Sequence, residues 1–127
     1  AGEPYKTADL AHRIYSDFYK NADDGLCGNE DAGQMSAWYV LSALGFYEVE
    51  PASTRYWFGA PAFPEADLTV TGGVFRVKAY GLSDENRYIQ SVTLNGKPYD
   101  KAYIEYSDIV KGGELAFVMG PDPVVWY

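Results

Sequence analysis

The chain has 127 residues, with 18 acidic against 10 basic side chains and a formal net charge of −8, which is one domain's worth of polypeptide and enough to bury a core. The acidic balance argues against nucleic acid, which needs a basic face, and against an anionic membrane surface; no apolar run approaches the roughly 20 residues of a membrane span. Cys27 is the only cysteine and His12 the only histidine, so an internal disulfide and a two-histidine zinc site are excluded and no Cys–His nucleophile pair is expected. Neutral ligands such as sugars, or cations, fit this charge better. Aromatic residues make up 17% of the chain, which suits a sugar-binding protein and an ordinary core equally.

The opening AGEPYKT lacks an initiator methionine and is expected to be an internal stretch of a longer polypeptide. Thr7 is placed to cap a first helix, with Asp9 in its first turn. Leu10, Ile14 and Phe18 follow at a spacing of four and form an apolar stripe, with His12, Arg13, Asp17 and Lys20 on the other face. Lys20 and Asn21 suit its C-terminal end. A polar loop over 21–33 leads to a second helix from Gln34 to Leu44, which Gly45 stops. That helix is apolar on two faces, so one partner helix cannot cover it and further surroundings are required.

From Tyr47 the pattern turns to β. Arg55–Phe58 is a short run among prolines. Leu68–Thr71, Val74–Tyr80, Tyr88–Leu94, Ala102–Tyr106 and Glu114–Met119 read as strands. Gly72-Gly73 and Asn95-Gly96 read as two-residue hairpin turns. Ser107–Gly113 reads as one helical turn. The expected class is α+β, two N-terminal helices followed by a small antiparallel β-sheet or sandwich. The expected division places the helices and their loop in 1–46 and the β part in 47–127.

The chemistry concentrates in the loop. Gly28-Asn29-Glu30-Asp31-Ala32-Gly33 sets neighbouring carboxylates at the start of an apolar helix, as acid/base chemistry on a sugar or cation binding would need. The same residues read as an acidic cap stabilised by the helix dipole. Asp23, Asp24, Glu30 and Asp31, with Asn21 and Asn29, gather hard oxygens, but Gly25 falls one place early for an EF-hand and no Glu closes the set. An autonomous calcium loop is therefore not expected. Ser36 lacks a nucleophile elbow.

The segment GLCGNEDAGQMSAWYVLSALGFYEVEPAS, Gly25–Ser53, closely resembles the C-terminal signature of glycoside hydrolase family 92, the calcium-dependent exo-α-mannosidases. The opening AGEPYKT and the run Tyr88–Gly120 are similar to flanking family segments. Members commonly carry Cys at the place of Ala32, Pro at that of Glu48 and, in some, Asp at that of Asn29. The resemblance implies an inverting hydrolase of terminal α-mannosides, with α-1,2 linkages expected. Asp31 matches the general base, Glu30 stands beside it as a second catalytic carboxylate, and Asn29 and Gly28 contact substrate. It implies that the two helices are a remnant of an (α/α)6 barrel. It implies calcium in the parent enzyme, from ligands not identified here, with none bound tightly by this chain alone. The general acid would lie in a missing N-terminal part of the same polypeptide. The expected partners are a mannose-containing glycan and that missing part, with self-association through uncovered helix faces. The parent is expected to be secreted, periplasmic or at the cell surface. The competing class is a non-catalytic carbohydrate-binding or structural β module.

Overall fold

A computed structural model describes residues 2–127; Ala1, at the head of the AGEPYKT segment, lies outside the described residues. Helix α1 spans Pro4–Phe18. It begins three residues before Thr7, because Pro4 occupies the first turn, where its fixed φ and missing N–H cost nothing. Glu3 precedes it and is held by the Tyr5 hydroxyl and Lys6 Nζ, both at 2.7 Å. The helix ends before Lys20 and Asn21 because Tyr19 turns extended and bridges to Leu26.

Helix α2 spans Gln34–Ala43, followed by Leu44 and by Gly45 at φ 97°. Its C-terminal end is the best anchored part of the helical layer. Ala43, Leu44 and Phe46 are buried. The N–H of Gly59 donates to Gly45 O at 2.9 Å and that of Ala62 to Ala43 O at 2.8 Å, which satisfies carbonyls that a helix end leaves open.

The strands are β1 Phe46–Tyr47, β2 Arg55–Phe58, β3 Glu65–Val70, β4 Gly73–Tyr80, β5 Tyr88–Leu94, β6 Lys97–Pro98, β7 Tyr103–Glu105 and β8 Gly113–Gly120, with a short helix α3 at Tyr106–Ile109 before the last. They form a three-stranded sheet, β1-β2-β7, and a five-stranded sheet, β3-β4-β8-β5-β6. The α+β class holds. Within it, β4 and β8 run parallel, so the larger sheet is mixed. Strand β8 sits between β4 and β5; Leu115, Phe117 and Met119 are buried toward the core while Val118 on the other face stays exposed, as in a sheet with one solvated face.

Both sheets face one core. Phe46, Phe58 and Ile104 meet Phe75, Ile89, Leu115 and Phe117, and the rings of Phe58 and Phe117 cross edge to face at 5.2 Å. Asn95-Gly96 makes the tight β5–β6 turn, both residues at positive φ. The β3–β4 turn is Thr71-Gly72 and not Gly72-Gly73, since Val70 pairs with Gly73. Gly72 is required there because a Cβ would collide with the Lys111 backbone.

Helix α1 reaches the sheets by polar contacts as much as apolar ones. The Tyr88 hydroxyl donates to Asp9 Oδ1 at 2.8 Å. Leu10 and Phe18, expected on the buried stripe, are 59% and 46% exposed, and Val40 of α2 is 54% exposed. The helical layer therefore shows uncovered apolar surface. Among the described residues no helix is long and apolar enough to cross a membrane.

Two outcomes follow. Phe117→Ala should cost about 3–5 kcal/mol, read by chemical denaturation, because the ring is fully buried. Burial pushes the Tyr15 hydroxyl from 10.0 up to about 12. Folding thus favours the neutral phenol, and its contribution is complete below pH 10 and lost as pH rises to about 12. Tyr15→Phe should flatten the alkaline limb of the stability curve, while an unchanged limb would show that Tyr15 ionises freely in the folded chain.

Candidate functional site

The acidic loop is built in two steps. After α1 the chain folds on itself: Lys20 N–H donates to Gly25 O at 2.9 Å, Gly25 N–H to Ala22 O at 2.9 Å, and the Tyr19–Leu26 bridge closes the turn. This leaves Asn21, Asp23 and Asp24 exposed at its tip. The chain then returns through Cys27, Gly28 and Asn29, all exposed, to the start of α2.

At that start the backbone is unusual. Asp31, Ala32 and Gly33 take successive φ values of 26°, 56° and 81°. Two of these are L-residues in a region they seldom visit. The curl is fixed from below, since Gln34 N–H donates to both Glu30 O at 2.9 Å and Asp31 O at 3.2 Å. It swings Glu30 back over the helix, so that Glu30 Oε1 accepts the Ser36 N–H at 3.1 Å. Glu30 therefore caps the first turn of α2 from three positions before the usual capping residue, and its anionic charge sits at the positive end of the helix dipole. Its Oε2 is buried without a partner. Asp31 is exposed. The two expected carboxylates thus stand in different settings, Glu30 tied to the helix and Asp31 facing outward. Asn29 and Gly28 lie in the same exposed stretch, with Gly28 near the Met35 thioether.

Aromatic rings support the loop from behind. Tyr19 donates its hydroxyl to Met35 O at 3.2 Å and stacks on Trp38 at 5.5 Å and Tyr39 at 5.1 Å. Burial, reinforced by the neighbouring Cys27 and Glu30, raises the Tyr19 pKa. Trp38 and Tyr39 are half-buried in this stack, so packing is their observed role. Beside them opens a concavity of ≈ 410 Å³, lined by Tyr19, Lys20, Asn21, Leu26, Ser36, Tyr39 and Val40. Leu26 and Val40 are its apolar walls. Sequence periodicity gave no sign of it, because it depends on Tyr19 leaving the helix.

Among the described residues no three His, Cys, Asp or Glu side chains converge to hold a metal ion. His12 packs on Tyr15 at 5.2 Å and takes no part in the loop.

Residues 1–121 match the family model of the glycosyl hydrolase family 92 catalytic domain. An uncharacterized secreted glycosidase of Arthroderma benhamiae is 30% identical over 130 residues, covering 99% of this chain and 17% of its own length. A family GH92 α-mannosidase of Bacteroides thetaiotaomicron, solved in complex with mannoimidazole, superposes with a TM-score of 0.91 at 39% identity, over 98% of this chain and 16% of that one. A family GH92 inverting mannosidase of the same organism superposes with a TM-score of 0.87 at 36% identity, over 96% of this chain and 17% of that one. The chain thus spans about a sixth of the length of these relatives. It belongs to glycosyl hydrolase family 92.

Proposed function

We propose that this chain is the base-bearing, C-terminal part of an inverting α-mannosidase, and that Asp31 is the general base. In this reading Asp31 takes a proton from a water molecule. The water oxygen attacks the anomeric carbon from the face opposite the leaving group, the glycosidic bond breaks, and a separate acid protonates the departing oxygen. Asn29 and Gly28 contact the sugar. Glu30, next to the base, holds the loop against α2 and adds negative charge beside the proton that Asp31 accepts. The single observation that carries the reading is an exposed Asp31 on a strained, capped loop in a chain whose residues 1–121 match the family 92 catalytic domain.

An inverting pair needs its carboxyl groups about 6.5–9.5 Å apart. Glu30 is adjacent to Asp31 in sequence and engaged at the helix, so the acid is assigned to another segment of the same polypeptide. Calcium ligands are assigned there too. Uncovered Leu10, Phe18 and Val40 would pack against that segment, or against a second copy when it is missing. The substrate is a terminal α-mannoside of a glycan, with α-1,2 linkage proposed. An extracytoplasmic location, secreted, periplasmic or at the cell surface, is supported by the secreted description of the Arthroderma relative.

The chain alone should not turn over an aryl α-mannoside. In the longer polypeptide, Asp31→Asn should lower kcat by about 10²- to 10⁴-fold and remove the acidic limb of the pH–rate profile. A near-normal kcat with an unchanged profile would remove Asp31 from the mechanism. The two carboxylates should also separate by stability. Glu30→Ala should cost about 1 kcal/mol through the lost cap, measured on the chain by denaturation, whereas Asp31→Asn should leave the midpoint where it is.

A further inference from the structure

The β5–β6 turn holds a reactive dipeptide. Asn95 and Gly96 take φ values of 51° and 74°, the pair of left-handed residues that a two-residue hairpin turn requires. Both are exposed. A Cβ built on Gly96 would meet nothing within 4 Å, so its backbone nitrogen is unhindered, and among the described residues no acceptor engages its N–H. The turn is pinned to the head of β8 by two bonds. Asn95 N–H donates to Glu114 O at 2.8 Å, and Glu114 N–H donates to Asn95 Oδ1 at 2.9 Å.

The second of these bonds puts a backbone N–H on the carbonyl oxygen of the Asn95 side-chain amide. Negative charge collects on that oxygen when a nucleophile adds to Cγ, and a donor placed there stabilises the tetrahedral intermediate. The nucleophile at hand is the Gly96 nitrogen, tethered through the chain to the carbon it attacks. Other positions lack this combination. Asp24-Gly25 has the same spacing, but Gly25 is buried and its N–H donates to Ala22 O at 2.9 Å. Asn21, Asn29 and Asn86 precede Ala22, Glu30 and Arg87, whose Cβ atoms crowd the attacking nitrogen.

We propose that Asn95 is a site of spontaneous covalent modification, its amide passing through a succinimide to aspartate and isoaspartate. The Gly96 nitrogen gives its proton to solvent and bonds to Asn95 Cγ. The Cγ–Nδ2 bond breaks, and the nitrogen takes up a proton and leaves as ammonia. Water then opens the ring, with no change of oxidation state. Cleavage between Cγ and the Gly96 nitrogen restores the peptide and leaves an aspartate. Cleavage of the original peptide bond leaves isoaspartate, whose main chain runs through Cβ and Cγ. The aspartate keeps an oxygen for the Glu114 N–H and keeps the turn. The lengthened main chain of isoaspartate cannot hold both bonds to Glu114 together with the Leu94–Lys97 pairing. One product therefore frees the turn from the head of β8, and the other does not.

The test is incubation of the folded, isotope-labelled chain at mildly alkaline pH, followed by peptide mass spectrometry, ammonia release and the Glu114 amide signal. The peptide carrying Asn95 should gain the mass of an amide-to-acid exchange before those carrying Asn21, Asn29 or Asn86. Ammonia should appear in equal amount, with both acid forms present. The Glu114 amide should stay protected from hydrogen exchange in Asn95→Asp and lose that protection in the isoaspartate fraction. Gly96→Ala should slow the conversion by crowding the nitrogen. Should its strain at φ 74° loosen the turn, Asn95→Gln keeps the amide on a longer side chain and should abolish ammonia release from this peptide. An Asn95 amide that survives while another asparagine converts would overturn the proposal. So would a Glu114 amide equally protected in the isoaspartate fraction and in the parent.

Discussion

Everything in the helical layer depends on how the last turn of α2 enters the β core. Ala43 is fully buried, Leu44 and Phe46 nearly so, and two open carbonyls are met by Gly59 and Ala62 from the strand-to-strand connection. Such hydrogen bonds are worth about 1 kcal/mol each, but leaving them unmade in a buried setting would cost more. With one end fixed, the direction of α2 is fixed. Its other end, carrying Gly28–Gly33, then projects from a rigid body. Side chains held this way vary less in position than groups on a free loop.

The loop itself is not the lowest-energy path for its residues. Asp31 and Ala32 in the left-handed region cost on the order of 1 kcal/mol each relative to ordinary backbone. The cap from Glu30, the doubled bond from Gln34 N–H and the ring of Tyr19 beneath Met35 offset that cost. An observed backbone outlier of this kind is a reason to look for function, and the direction of the inference matters. The same curl that strains Asp31 also turns it to solvent and carries Glu30 inward. One device thus gives two adjacent carboxylates different environments.

Much of this could be read from sequence, and the limits have physical causes. The second helix was legible because its apolar run and Gly45 are local signals, and β4, β5 and β8 because alternation and Asn95-Gly96 are local too. The start of α1 was missed where Thr7 outweighed Pro4, a weaker-looking but sufficient signal. The parallel β4–β8 pairing was not legible, since it joins strands more than 30 positions apart through a connection that periodicity does not encode. The two-residue strands β1 and β6 have no periodicity to detect, whereas β7 was legible within Ala102–Tyr106. At the site, the pair Glu30–Asp31 was found by composition, but not the division between them. That division requires positive φ at two non-glycine residues, which no propensity would assign.

The uncovered helix face runs on into the smaller sheet, where Leu10 and Ile14 share one concavity with Val49, Tyr47 and Trp57. On the helices, Leu10, Phe18 and Val40 are aliphatic or aromatic positions left uncovered where α1 and α2 lack neighbours. The relatives it matches are about six times its length, and in the proposed parent the additional polypeptide would cover them. On the sheet, the exposed rings are aligned by strand register and bordered by Arg55, Lys101 and Glu105. Register keeps them in place regardless of any partner, because their strands are pinned from the other face by Phe46, Phe58 and Ile104. A concavity lined this way gains most from a large apolar cover.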